Sequence, residues 1–381
     1  MTMLSASWIK ASVAGLLLSS ILMLTATPLE SIAARRPLDL TYIHMIDGTV
    51  GWADSTNALW HTTDGGVTWT DATPPGGFVG TYGDESATDF FTIRDAAFLT
   101  GRRAWVAGMS ATISRTNDGG HTWLRVRVPL AIATIAQLTF IDPLHGWALA
   151  RGDAAAGSQA VQILRTVDGG VTWTSISLTE YGHETPGSLA LVGGKSGLGF
   201  RDPKVGFATG SGPLPGVAVL SMSPDGGQTW QSHALPVPPG YSQDVLTTGP
   251  PYFFTVRDGV LPANVRPHQF FYATHDGGRT WAAGAELPAG STWSFADPVH
   301  GWALDEGSTR LLVTRDGSRR WTVLPSNLSG LAGGDSGILD FVTTNVGFAL
   351  ISRPNPMSNA LLKTVDGGHI WRVMHPCAAS C

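Results

Sequence analysis

The sequence has little charge. Charged residues make up 14% of the 381 residues, whereas about a quarter is usual in soluble domains. Lys and Arg form no run, and the formal net charge is −5 at pH 7. Nucleic-acid binding depends on a basic surface, so we expect no nucleic-acid partner.

Cysteine is almost absent. The two cysteines, Cys377 and Cys381, have no cluster of His or carboxylates around them, and a zinc site needs more ligands than two thiols. P-loop, G-x-S-x-G, H-E-x-x-H and C-x-x-C motifs are also missing, which removes the enzyme classes that they mark. We therefore expect neither a metal nor a cofactor.

Helical periodicity is missing after residue 33. The chain instead holds 47 Gly and 14 Trp. This mixture is typical of short strands that are joined by tight turns and separated by aromatic side chains. The fold class predicted from composition is all-β.

Residues 1–33 have the pattern of an export signal. Lys10 supplies the positive charge, residues 11–24 form an apolar stretch, and Ser31 and Ala33 are small residues at positions −3 and −1 of a possible cleavage site. A membrane tether through residues 11–29 is the alternative, although the apolar stretch is short for a span. We expect an exported protein that is extracellular or associated with the cell envelope.

The C-terminal tail, residues 377–381, reads CAASC. Disulfides persist outside the cytosol. For an exported chain, the sequence therefore predicts a small loop closed by a Cys377–Cys381 disulfide.

One eight-residue string recurs along the chain. Residues 166–173 read TVDGGVTW, and the spacing between copies varies from 40 to 57 residues, which indicates one supersecondary unit per repeat. The copies contribute Asp64, Asp118, Asp168, Asp225, Asp276, Asp316 and Asp366, and they end at Trp69, Trp123, Trp173, Trp230, Trp281, Trp321 and Trp371.

A second motif, F-x-D-P-x-x-G-W-A, precedes several copies; residues 140–148 are an example. In that repeat, apolar and turn residues predict strands at 135–140, 146–150, 161–166 and 172–178, with a loop at 151–158. In the irregular fifth repeat we expect the second strand at 252–256 and the third at 268–274. Four antiparallel strands in each of seven repeats predict a seven-bladed β-propeller over residues 39–376.

The repeated string resembles the Asp box, or BNR repeat, of the sialidase-like superfamily. The short repeats with F-x-D-x-x-x-G-W-A between boxes are most similar to the Ycf48/HCF136-type photosystem II assembly factors. Ser318 and Arg320 in the sixth copy and Ile370 in the seventh depart from the pattern. The resemblance implies a propeller in which the box forms the hairpin between the third and fourth strands of each blade, and it does not specify a function.

The box residues are interpreted as scaffold. The Asp carboxylate can accept hydrogen bonds from its own turn, and Gly-Gly supplies the positive φ that the turn needs. A calcium site would need several carboxylates per copy, where each copy has one. Function is therefore expected on the opposite face, where the variable segments 71–91, 179–197 and 231–243 lie.

Polar residues of that face are the binding candidates. They are Asp84, Glu85, Asp89, Arg151, Asp153, Tyr181, His183, Glu184, Asp244, Asp305 and Glu306. We expect a monomeric binding or assembly module that recognises a protein or a glycan and has no catalytic residues. The alternative is a secreted sialidase-like glycoside hydrolase that uses Asp84, Tyr181 and Glu184, although no R-I-P motif accompanies them.

Overall fold

The computed structural model describes residues 38–55, 58–76, 93–108, 111–132, 134–155, 157–212, 214–288, 291–305, 310–331, 337–354, 357–374 and 377–378. For residues 93–94, 153, 155, 329–330, 352–354, 357–358 and 377–378 it describes the backbone alone. The chain divides into a unit of residues 1–35, which lies outside the described residues, and the unit Arg36–Cys381.

The first three sheets are antiparallel meanders in chain order. The first contains β1 (Leu40–Met45), β2 (Gly51–Ser55), β3 (Ala58–Thr62) and β4 (Thr68–Asp71). The second contains β5 (Ile93–Phe98), β6 (Ala104–Gly108), β7 (Thr112–Thr116) and β8 (Leu124–Arg127). The third contains β9 (Thr134–Phe140), β10 (Gly146–Ala155), β11 (Ser158–Thr166), β12 (Thr174–Glu180) and β13 (His183–Glu184).

The fourth sheet has ten strands and holds two meanders. The first meander is β14 (Gly194–Phe200), β15 (Gly206–Ser211), β16 (Ala218–Ser223) and β17 (Gln231–Ser232). The second is β19 (Tyr252–Phe253), β20 (Gly259–Val265), β21 (His268–Thr274) and β22 (Ala282–Ala283). Between them, β18 (Thr247–Thr248) pairs with β15 and β20, and β23 (Leu287–Pro288) pairs with β21.

Two further meanders complete the sheets. One is β24 (Thr292–Phe295), β25 (Gly301–Leu304), β26 (Leu311–Thr314) and β27 (Thr322–Val323); the other is β28 (Gly337–Phe341), β29 (Gly347–Pro354), β30 (Met357–Thr364) and β31 (Trp371–Val373). Within the described part, the one helix is the four-residue α1 (Leu328–Leu331), and no helix there is long and apolar enough to cross a membrane. The fold is therefore all-β and built from four-stranded antiparallel meanders.

Two strand assignments differ from the sequence-based expectation. Residues 151–158, predicted as a loop, mostly extend β10 and β11, because Arg151 pairs with Val161 and Ala155 with Ser158. The low strand propensity of Ala and Gly is overridden by this cross-strand pairing. In the fifth repeat, Tyr252–Phe253 is the first strand of its meander, not the second, and the second strand is Gly259–Val265.

The D-G-G turns join the third and fourth strands. Between β11 and β12, one carboxylate oxygen of Asp168 accepts hydrogen bonds from the backbone N–H groups of Val171 and Thr172, at 3.0 and 2.9 Å. The other oxygen accepts the Thr172 hydroxyl at 2.6 Å. Gly169 and Gly170 have φ values of 73° and 84°, a region that disfavours side chains. The aspartate is fully used by its own turn.

We expect Asp168→Ala to lower the free energy of unfolding by about 1–3 kcal/mol, because the turn amides lose their acceptor. Asp168→Asn should cost less, since its amide oxygen can still accept from Val171 and Thr172 while only the bond from the Thr172 hydroxyl is lost. Urea titration of the two variants tests this order. An alanine variant as stable as the parent would contradict it.

The two sequence motifs meet in the core. Phe200, from the second motif of its repeat, stacks on Trp147 of the preceding meander with ring centroids 3.6 Å apart and an interplanar angle of 4°. Its edge meets Trp230, the last residue of its own D-G-G string, at 6.3 Å. The Trp147 Nε1–H donates to the Gly226 carbonyl at 2.8 Å. The contacts of the Trp147, Phe200 and Trp230 rings therefore couple neighbouring meanders.

The first and last meanders are in direct contact. Asn359 on β30 donates its side-chain N–H to the Leu40 carbonyl on β1 at 2.6 Å, and the Lys363 ammonium donates to the Gly48 carbonyl at 2.8 Å. The C-terminal strand β32 (Cys377–Ala378) adds to the first sheet by pairing parallel to β4. This pairing places the Cys377 backbone on an outer edge, while Cys381 lies outside the described residues.

Candidate functional site

The meanders define two faces. The D-G-G turns and the turns from first to second strands lie at one end of the sheets, which we call the turn face. The second-to-third loops and the connections between meanders lie at the other, the loop face. Most of the predicted binding residues belong to the loop face.

Several candidates fall outside the description. Asp84, Glu85, Asp89 and Glu306 lie outside the described residues. Asp153 lies on β10, where only its backbone is described. The structure therefore does not place any of these side chains.

Two candidates are engaged in local contacts. Arg151, on β10, donates to the Lys195 carbonyl at 2.6 Å. Asp305 is 7% exposed and accepts hydrogen bonds from two guanidinium nitrogens of Arg310, at 2.6 and 3.2 Å. A buried, paired carboxylate is a poor first contact for a ligand.

Tyr181, His183 and Glu184 form the tip of the β12–β13 hairpin. Glu184 pairs with Thr179 and His183 with Glu180. The Tyr181 side chain is 94% exposed, and His183 and Glu184 are also exposed. The hairpin presents these groups to solvent, where they can contact a partner but are not enclosed in a site.

Asp244 lies on the loop face near Tyr241, which is bonded to Glu286. The Tyr241 hydroxyl donates to Glu286 at 2.8 Å, and Glu286 also contacts the His268 ring. The hydrogen bond to Glu286 and the charges of Glu286 and Asp244 raise the pKa of Tyr241. The phenol is therefore held as a neutral donor to Glu286.

The first strands of the meanders face one another, and we call them the inner strands. β5 contacts β9, β9 contacts β14, β14 contacts β19, and β24, β28 and β1 are in contact in that order. Their side chains, with one from β2, form what we call the inner cluster. Its members are Tyr42, Asp54, Asp95, Tyr252 and Asp340.

The two inner-strand carboxylates each span two meanders. Asp95 on β5 accepts a hydrogen bond from the Leu138 N–H on β9, and Asp340 on β28 accepts one from the Met45 N–H on β1. Each of the two carboxylates therefore links a pair of adjacent inner strands by a hydrogen bond. Neither was recognised from the sequence.

Burial shifts the titration of both carboxyls. Loss of water contact raises the pKa of Asp95 to about 6, against the lowering effects of the Leu138 N–H and the Arg151 charge. Burial also raises the pKa of Asp340, although the charge of His44 and the Met45 N–H act against it. Desolvation outweighs the hydrogen bonds in both cases.

The tyrosines show that these groups are close together. Burial first, and then the charges of Asp340 and Asp95, raise the pKa of Tyr42 to about 12. Burial and Asp340 also raise the pKa of Tyr252. Yet Tyr42 and Tyr252 are 42% and 57% exposed, so solvent reaches side chains that are crowded by protein. Shifted pKa values of this kind mark a candidate functional site.

We expect Asp95→Asn to raise the free energy of unfolding near neutral pH by about 1–3 kcal/mol. The folded-state pKa of about 6 exceeds the ordinary value of 3.8, so ionisation costs stability as the pH rises through 6. The asparagine oxygen can still accept from Leu138. Urea titrations at neutral pH and near pH 4 should show the gain only at neutral pH. A variant less stable than the parent at both pH values would contradict this assignment.

The sequence contained a weak signal for the inner cluster. Tyr42 and Asp95 both stand three residues before the first apolar residue of the second motif, Met45 and Phe98. Polar residues at that inward position in separate repeats suggest a shared site. The signal was missed because the repeats were compared at their turns and not along their first strands.

Comparison with known proteins supports the fold. No family model matches the chain. The structure of Ycf48 bound to a D1 peptide has a TM-score of 0.54 and 18% identity, covering 87% of this chain and 94% of Ycf48. Ycf48 from Cyanidioschyzon merolae has a TM-score of 0.53 and 17% identity, covering 87% of this chain and 97% of that protein.

A curated sialidase also matches part of the chain. The sialidase of Bacteroides fragilis (strain YCH46) is 25% identical over 206 residues, which cover 44% of this chain. The match spans 36% of the length of that sialidase. By fold, the chain is a β-propeller that resembles Ycf48, and part of its sequence is similar to the sialidase.

Proposed function

We propose that this protein is an exported, monomeric, seven-bladed Asp-box propeller that acts as a binding or assembly module. Its loop face recognises a protein or a glycan. Seven successive four-stranded meanders, each with its D-G-G turn, support the seven-bladed arrangement. The contact of β28 with β1 supports closure between the last and first blades.

The observation that carries this proposal is the use of the repeated aspartates. In all seven turns the aspartate accepts hydrogen bonds from its own string, as Asp64 does from Thr62, Val67 and Thr68. Carboxylates committed to turn amides contribute to folding. Recognition is therefore left to the variable segments on the opposite face.

A protein ligand has support from one similar structure. In it, Ycf48 is bound to a D1 peptide. The likeness in fold covers 94% of that Ycf48 chain, so it extends over nearly the whole of a protein that binds a peptide. The corresponding proposal for this chain is a peptide segment on the loop face.

Photo-crosslinking tests the proposal. A photoreactive amino acid would replace Tyr181 on the loop face or Val365 on the turn face, both of which are exposed, in protein expressed in its native host. We expect cross-links to a defined protein or glycan from position 181 and none from position 365. Cross-linking from position 365 alone would contradict the assignment of the loop face.

Export is proposed together with the tail disulfide. Mass spectrometry of the mature protein without reduction is expected to show cleavage after residue 33. The measured mass should also be two hydrogens lower than that of the dithiol, because a disulfide joins Cys377 and Cys381. Two alkylatable thiols would contradict the disulfide. An intact N-terminus in a membrane fraction would favour the tether through residues 11–29.

A glycoside hydrolase is the second candidate, and the inner cluster favours it. Asp95 and Asp340 are carboxyls of raised pKa near Tyr42, and a protonated acid near a second carboxyl is a requirement of glycosidic cleavage. The hydrogen bonds that Asp95 and Asp340 accept from the Leu138 and Met45 N–H groups support a purely structural role for the same two carboxyls.

A substrate screen separates the two candidates. Fluorogenic sialosides and polysaccharides would be tested with the parent, Asp95→Asn, Asp340→Asn, Glu184→Gln and Asp84→Asn. The binding proposal predicts no turnover by any of them. Turnover that is lost in one variant while that variant stays folded would move the protein to the hydrolase class.

A further inference from the structure

The loop face carries large aliphatic side chains that are exposed. We call them the aliphatic patch; they are Val192, 55% exposed, Leu214, 63%, Val217, 40%, and Val245, 54%. They come from the segment before β14, the loop between β15 and β16, and the connection after β17. Single exposed aliphatics are ordinary, but a group gathered from separate segments marks an interaction surface.

Backbone contacts bring the three segments together. Gly194, two residues after Val192, pairs with Ser211 at the start of the loop that carries Leu214 and Val217. At the other end of that loop, the Gly216 N–H donates to the Asp244 carbonyl at 2.8 Å. Val217 and Val245 directly follow these two bonded residues, and the Thr248 hydroxyl donates to the Val219 carbonyl at 2.6 Å, so the two segments run alongside each other.

The patch is aliphatic, and this favours a peptide over a sugar. The apolar face of a sugar ring stacks best on a flat aromatic ring, whereas branched aliphatic side chains interdigitate with other branched chains. No member of the patch is aromatic. Its chemistry therefore fits the apolar side chains of a protein segment.

The patch has an acidic border on its Val245 side, whereas the Lys195 ammonium at the Val192 side is buried and donates to backbone carbonyls. Asp244 adjoins Val245, and Glu286 is bonded to Tyr241, whose pKa both carboxylates raise. Opposite charge on a partner would be attracted to this border, and like charge would be repelled. A second copy docked symmetrically through the patch would bring two acidic borders into one interface, and this like charge argues against self-association through the patch.

We propose that the aliphatic patch docks an apolar segment of a protein partner that carries basic side chains beside its apolar ones. This inference rests on the proposed binding function and specifies its ligand. The aliphatic groups supply the buried contact, and Asp244 and Glu286 select the charge of the flanking residues.

Four labelled peptides of equal length test the inference by fluorescence anisotropy. One alternates leucine and valine with lysine, one replaces lysine with glutamate, one replaces the apolar residues with serine, and one carries both replacements. The apolar-basic peptide should bind at least about tenfold more tightly than the others. Val217→Asp and Val245→Asp should each weaken it by about tenfold or more, and Asp244→Lys should shift preference toward the apolar-acidic peptide.

Val256→Asp is the matched control, because Val256 is 62% exposed in a turn of the opposite face; it should leave the affinity unchanged. Equal binding of all four peptides, or equal weakening by Val256→Asp and Val245→Asp, would overturn the inference. So would light scattering that shows a dimer dispersed by Val245→Asp. A protein ligand cross-linked from position 181 whose affinity is unaffected by Val245→Asp would overturn this inference and leave the proposed function standing.

Discussion

Trp147→Ala should lower the free energy of unfolding by about 3–5 kcal/mol, the usual cost of truncating a buried aromatic residue. The Trp147 ring is fully buried and stacks on Phe200 at 3.6 Å. It also donates to the Gly226 carbonyl and lies 5.6 Å from the Arg165 guanidinium carbon. Alanine leaves a cavity between two meanders and an unpaired carbonyl.

Trp147→Phe is the matched control for this effect. Phe207 and Phe348 occupy the equivalent positions in the fourth and last meanders, so a phenyl ring fits between sheets of this kind. We expect a loss of about 1–2 kcal/mol, mainly from the missing bond to Gly226. Urea titration followed by circular dichroism measures both variants, and equal losses would show that the stacked ring does not couple the meanders.

Acidification should unfold the protein between about pH 4 and pH 2, the interval in which the turn aspartates take up protons. Hydrogen bonds from their own turns hold the pKa of six of these carboxyls below the ordinary value of 3.8. The pKa values of Asp118 and Asp276 are lowered to about 2. Those of Asp64, Asp168, Asp225 and Asp366 are also lowered. Their stabilising contribution is complete above about pH 4. It is lost as the pH falls through the folded-state values.

The inner cluster should give the opposite trend at higher pH. Because the pKa of Asp95 is raised from 3.8 to about 6, stability should increase as the pH falls through about 6 towards about 4. The whole profile should therefore have a maximum at mildly acidic pH. Urea midpoints measured from neutral pH to pH 2 test this shape, and stability that keeps rising down to pH 2 would contradict the role assigned to the turn aspartates.

Local sequence patterns predicted the β class and the turns well, because a D-G-G turn is specified by residues that contact one another within the string. The fifth repeat was misassigned because it lacks the G-W-A letters. There Gly259, Val260 and Leu261 take the places of Gly, Trp and Ala, and β-branched and aliphatic residues serve the strand equally well. Only the pairing of β19 with β20 reveals the correct order.

The candidate sites depended on contacts that the sequence does not display. The inner cluster brings together side chains from the first, second, fifth and last meanders, and the aliphatic patch joins residues up to 53 positions apart, from Val192 to Val245. Neither set forms a contiguous motif. Conversely, the sequence suggested Asp305 as a binding candidate because the sequence alone does not show that Arg310 is its partner.

The central claim is that the turn face is scaffold and the loop face binds. Calorimetric titration of the apolar-basic peptide into Asp168→Asn and Val245→Asp, with urea titration of the same samples, tests it most directly. Asp168→Asn is expected to lose stability and keep the affinity of the parent, and Val245→Asp is expected to keep stability and lose affinity. Loss of affinity in Asp168→Asn together with unchanged affinity in Val245→Asp would contradict the claim.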